Sequence, residues 1–140
     1  MVLEAFLYGL LSIVLLIAGF FVIDFVVPCD FRREIFDEKN TAVGALVGGL
    51  FIATGIIIRS SVIERQGAAQ DWEKALGGLV STFIYTGVGL ALFVVGYLLL
   101  ALLLRRHDLN RHIDEHNTAA GFALAGFFIA IALVVSGAIQ

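Results

Sequence analysis

Asp24 is the one ionisable side chain inside a long apolar stretch, residues 5–27. A carboxylate at the centre of a bilayer costs about 2.5–3.5 kcal/mol, so an intramembrane acid is by default a candidate ion or proton site. Asp24 also lies four residues before Pro28, about 6 Å along a helix, where it can reach the interface or pair with an arginine. The histidines gather at His107, His112 and His116. His112 and His116 are spaced i, i+4 and share one side of a helix, with Asp108 one turn earlier; two such ligands make only a weak metal candidate. Ser81, Thr82, Tyr85 and Thr86 form a polar face that would line a narrow path, or equally satisfy interhelical hydrogen bonds. Cys29 is the single cysteine and cannot close an intramolecular disulfide. No phosphate loop, nucleophile elbow, haem-attachment motif or paired-carboxylate site occurs. The chain is therefore expected to be non-enzymatic and to carry no cofactor.

Two further polar residues come as a pair. Asn40 and Asn117 each follow an Asp-Glu-x triplet, and each is followed by Thr-Ala-x-Gly. Asn40, Gly44 and Gly48 lie one helical turn apart, as do Asn117, Gly121 and Ala125; the stripes continue at Gly55 and Ala132. Small residues at i and i+4 let membrane helices approach closely, and an asparagine heading the stripe can bond across the seam for about 0.6–2 kcal/mol. The alternative is a helix cap made by the side-chain oxygen. Both stripes are expected to be helix-packing seams.

The elements that must position these residues are set by composition. Of 140 residues, 60% are apolar and 15% charged, with mean hydropathy +0.99. A soluble domain carries about 25% charged residues. Apart from Asp24 the charges avoid four apolar segments, roughly 5–27, 41–58, 75–104 and 118–139. Each is near the ~20 residues that a helix needs to cross hydrocarbon. None alternates as a barrel strand would. The third is long enough to tilt or to run into the interface. The prediction is an all-α integral membrane protein with four transmembrane helices.

The chain is also written twice. A constant offset of 77 residues carries Asn40 onto Asn117, Phe6 onto Phe83, Gly19 onto Gly96 and Phe51 onto Phe128, without a gap, from 4–63 to 81–140. Residues 64–80 join the copies within one membrane domain, 1–140. Each copy holds two spans, so both enter the membrane in the same sense, as parallel helical hairpins related by a pseudo-twofold axis along the membrane normal. The connections inside the copies, 30–39 and 108–116, place apolar residues at Phe31, Ile35 and Phe36, and at Leu109 and Ile113, as short amphipathic helices at headgroup level would. Glu34/Glu38 and Arg33/Asp37 are i, i+4 pairs on the first of these.

These connections carry Arg32, Arg33, Lys39, Arg105, Arg106 and Arg111, against Arg59, Arg65 and Lys74 between the copies. The excess predicts cytoplasmic connections and outward-facing termini, with Tyr8, Trp72 and Tyr85 near the outer interface. The start Met1-Val2-Leu3-Glu4 has no basic region or cleavage signature, so the first span is read as retained. Net charge is −3 and no dense basic patch exists, which argues against nucleic acid as a partner. Membrane lipids, further copies of the chain and a cytoplasmic peripheral protein are the partners that remain.

The paired motifs Phe36-Asp-Glu-Lys-Asn40-Thr-Ala-Val-Gly44 and Ile113-Asp-Glu-His-Asn117-Thr-Ala-Ala-Gly121 resemble those of the YjfL-type family of bacterial inner-membrane proteins, domain of unknown function number 350. The resemblance covers essentially the whole chain. It implies a multi-pass bacterial inner-membrane protein with no catalytic residues to carry over, and an accessory role beside envelope-stress or membrane-remodelling systems. The reading from a different class is a subunit of an oligomeric ion channel or transporter, lined by Asp24, Asn40, Asn117 and the Ser81–Thr86 face.

Overall fold

The computed structural model describes residues 2–27, 30–66, 72–103 and 115–139. They form five helices: α1 (Val2–Val26), α2 (Phe31–Phe36), α3 (Thr41–Gln66), α4 (Trp72–Leu103) and α5 (Thr118–Ile139). Four of these are long and apolar enough to span a membrane. Their outer faces agree with that reading. Phe6, Leu10, Ile13, Val14 and Ile17 of α1 are exposed, as are Phe83, Val95, Leu99 and Leu102 of α4. Water would penalise so large an apolar surface, whereas lipid tails do not.

The packing centres on α3. Over its spanning stretch 56% of α3 is buried, against 22% for α1, 28% for α4 and 33% for α5. Its tightest partner is α5, and the two run side by side in the same direction. The Thr41 and Thr118 hydroxyls share a hydrogen bond of 2.7 Å at their first residues, and those of Ser60 and Ser136 share one near their ends. Leu46, Leu50, Ala53 and Ile57 of α3 and Leu124, Phe128 and Ala132 of α5 join one core with Ile23, Phe93 and Tyr97. Phe93 meets Phe128 edge-on at 5.5 Å between centroids. Glycines also let α1 and α4 close against α3 and each other. A Cβ on Gly19 would lie 3.1 Å from Leu90 and 3.2 Å from Thr54, and one on Gly89 would lie 2.7 Å from Ile57.

One boundary differs from the hydropathy reading. The α3 helix does not end at Ile58 but continues through Arg59 to Gln66. Nothing at 59–66 breaks a helix, and the Ser60 and Ser61 hydroxyls bond back to the carbonyls of Ile56 and Ile57. The α4 helix is unbroken for 32 residues, about 48 Å at 1.5 Å per residue, well beyond a ~30 Å hydrocarbon core. Tyr8, near the start of α1, is buried against the neighbouring helices. The second connection falls almost wholly at 104–114, outside the described residues, as do Pro28 and Cys29.

Candidate functional site at the α2 end

Asn40 is 2% exposed and acts as the cap of α3. Its Oδ1 accepts the backbone N–H of Ala42 at 2.9 Å and of Val43 at 3.4 Å, satisfying donors that the first turn cannot satisfy itself. Its Nδ2 donates to Glu34 Oε2 at 2.9 Å, and its N–H donates to the Glu34 carbonyl at 2.8 Å. One buried asparagine thus ties α2 to α3. Asn117 caps α5 by accepting the Ala120 N–H at 3.3 Å, but it is exposed. Just before each cap the backbone turns through the left-handed region, at Lys39 (φ 54°) and His116 (φ 61°). Both asparagines act as caps.

Asp24 belongs to the same end. It sits in the last turn of α1, and its Oδ1 accepts the N–H of Phe31, the first residue of α2, at 3.1 Å. Asp30 caps α2 by accepting the Arg33 N–H at 3.4 Å. Phe31 is fully buried and anchors α2 to the core, while Phe36 is 78% exposed. Asp37 closes the helix in i, i+4 register with Arg33, its N–H donating to the Arg33 carbonyl at 2.9 Å, but the two side chains do not form the ion pair. Arg33 instead bridges to Glu38 at 2.6 Å, and this hydrogen-bonded carboxylate holds its guanidinium above the ordinary arginine range. Arg32 lies over the Phe21 ring, 5.1 Å from its centroid.

Two hollows meet at α2. A polar one of about 750 Å³ is lined by Asp24, Asp30, Asp37, Arg32, Arg33 and Phe36, with Phe25 and Val27. An apolar groove of about 480 Å³ runs between α1 and α3, walled by Ile17, Phe20, Phe21 and Phe51 and roofed by Phe31, Ile35 and Phe36. Phe20 stacks on Phe51 at 5.8 Å. Gly44 and Gly48 form the groove floor, and a Cβ on either would meet nothing within 4 Å. Arg32 and Phe36 border both hollows.

The two small-residue stripes therefore part company. Gly121 and Ala125 pack against α3, where a Cβ on Gly121 would collide with the Ala42 backbone and one on Gly49 would overlap Ala125. Gly44 and Gly48 face the groove instead of α5. Gly55 likewise has open space beside it. The closest approach on α3 is made at Ala42 and Gly49, two residues and one residue away from the stripe in the sequence.

His116 is exposed, with Nε2 3.4 Å from the Glu38 carbonyl oxygen, and its left-handed turn stops a helical HxxxH face from continuing through it. His107 and His112 lie outside the described residues, and among the described residues no three His, Cys, Asp or Glu come together as a metal site would need. Thr82 and Thr86 are buried, and the Thr82 hydroxyl bonds back to the Gly78 carbonyl at 2.9 Å. The Thr54 and Thr86 hydroxyls have no hydrogen-bond partner among the described residues. Sequence reasoning missed the groove and the place of Arg32 at its mouth. Its signal is present only as three separate fragments, 17–21, 31–36 and 44–51, which no periodicity joins.

A protein from Mycolicibacterium paratuberculosis (strain ATCC BAA-968 / K-10), described as a UPF0719 transmembrane protein, is 25% identical over 135 residues, covering 96% of this chain and 85% of the relative. No solved structure matches the chain. The model of the family Domain of Unknown Function (DUF350) matches residues 1–139, and with four apolar helices carrying that match the chain belongs to DUF350, a family of membrane proteins.

Proposed function

We propose that the chain is a non-enzymatic membrane scaffold: two parallel hairpin repeats, joined through α3 and α5, that present α2 as a docking surface at the bilayer edge. The observation that carries this reading is the construction of α2. One aromatic, Phe31, is fully buried and another, Phe36, is 78% exposed, beside Arg32, Arg33 and Asp37. An exposed aromatic among charges suits the headgroup layer, where an apolar body and a polar neighbourhood are both accommodated. The basic excess in this connection supports a reading with α2 in the cytoplasm and the termini outside, in a bacterial inner membrane. Lipid headgroups or a peripheral protein would be held there, and further copies of the chain would assemble alongside.

The test replaces Phe36 by tryptophan in protein reconstituted into vesicles containing brominated phospholipid. Fluorescence of Phe36→Trp (with Trp72→Phe as background) should be quenched by bromines near the headgroup boundary. An unquenched, solvent-like emission would sink the docking reading.

An oligomeric channel is the second reading. It draws on the Thr54 and Thr86 hydroxyls, buried with no hydrogen-bond partner among the described residues. Ion flux through reconstituted protein that falls in Thr54→Val and Thr86→Val, with the fold intact, would favour it over the scaffold.

A further inference from the structure

The groove beside α2 is apolar along its length and charged at its mouth. From Gly44 to Phe51 it follows eight residues of α3, about 10 Å between the first and the last. That is some two-thirds of the ~15 Å hydrocarbon depth of one leaflet. The walls decide what suits it: Ile17, Phe20, Phe21, Phe51, Gly44 and Gly48 offer an apolar lining about 10 Å long that an alkyl chain matches in chemistry.

Charge decides what heads the chain. Arg32 stands at the mouth over Phe21 and has no carboxylate or hydrogen-bond partner among the described residues, while Arg33 is already taken by Glu38. On the other side of Arg32 the polar hollow holds Asp24, Asp30 and Asp37. Asp24 and Asp30 each use Oδ1 for one backbone N–H, which leaves the second oxygen of each without a partner among the described residues. The ligand these groups call for carries an anionic acceptor at Arg32 and then a cationic donor at the carboxylates, the order of charges in a zwitterionic phospholipid.

We propose that this site binds one phospholipid with an ethanolamine headgroup: an acyl chain in the groove, the phosphate on Arg32, and the ammonium against the Asp24, Asp30 and Asp37 carboxylates. The inference rests on the reading of α2 as a headgroup-level docking surface. A primary ammonium donates hydrogen bonds to carboxylates, which choline, fully methylated, cannot do. A glycerol headgroup brings no positive charge to the acidic hollow and leaves the lipid net negative.

Native mass spectrometry of the full chain released from nanodiscs of equal phosphatidylethanolamine, phosphatidylcholine and phosphatidylglycerol tests this. One phosphatidylethanolamine per chain should be retained, about tenfold or more over either competitor. Arg32→Gln should lower retention of all three lipids. The double variant Asp24→Asn/Asp37→Asn should keep lipid but lose the preference for ethanolamine over choline. Gly48→Leu should expel the lipid at unchanged thermal stability, because its side chain grows into open space. Preferential phosphatidylglycerol, retention unaffected by Gly48→Leu, or a second copy of the chain displaced by Gly48→Leu would each overturn the proposal. Quenching of Phe36→Trp separates the two failures: quenched without lipid retention, the docking surface stands and the site falls; unquenched, both fall.

Discussion

Asn40 and Asn117 occupy the same place in the sequence repeat and cap their helices with the same atom, yet their surroundings differ. Asn40 is buried, accepts two backbone N–H groups and reaches Glu34; Asn117 is exposed and accepts one. A cap is worth about 0.5–2 kcal/mol, and a buried partner left unsatisfied adds to the loss. Asn40→Ala should therefore destabilise the protein by about 2 kcal/mol and Asn117→Ala by about 1 kcal/mol or less, read as thermal midpoints in one detergent. Equal losses would show that the tie from α2 to α3 contributes nothing. The cap was legible in the sequence as one of two alternatives, because asparagine ahead of a small-residue helix suits either a cap or a seam. The choice between them depends on the left-handed turns at Lys39 and His116, which no residue type announces, neither being glycine.

At the scale of helices, the four spans were legible from hydropathy alone, since burial in lipid is an average over twenty residues. The end of α3 was not, because a helix needs no apolar side chains to continue past Ile58. Nor was the seam. A period of four places Gly44 and Gly48, or Gly121 and Ala125, on one face, but it does not say which neighbour takes that face. The structure gives one stripe to α5's contact with α3 and the other to a groove. Gly121→Leu must push against the Ala42 backbone, which cannot rotate away, and should cost well over 3 kcal/mol or abolish folding. Gly44→Leu meets open space and should change stability by no more than about 0.5 kcal/mol. The pair is measured by yield and thermal midpoint of detergent-purified protein; comparable damage at both sites would contradict the placement of α3.

For the whole molecule, the interior is held by α3 and its contacts rather than by four equivalent helices. The link between α3 and α4 need not carry that burden, because the α3–α5 contact runs from Thr41–Thr118 to Ser60–Ser136. Cutting the chain within 67–71 and co-expressing residues 1–67 with 68–140 should give two fragments that co-purify through one affinity tag. Gly121→Leu in the second fragment should abolish co-purification. Separation of the unmodified fragments would show that the connection, not the seam, holds the halves together.

The seam has one more implication. Ala42 and Gly49 of α3 meet Gly121 and Ala125 of α5, whereas their own counterparts 77 residues on, Ala119 and Gly126, are exposed. Past the like pair Thr41–Thr118, the contact joins unlike faces. Two identical separate hairpins meeting in this way would each keep one unmatched face, so the association would run on into a ring or an open filament instead of stopping at a pair. Covalent linkage in a single chain gives the association a natural end at two. It also frees the unmatched face on α3, with Gly44 and Gly48, to diverge toward a different occupant.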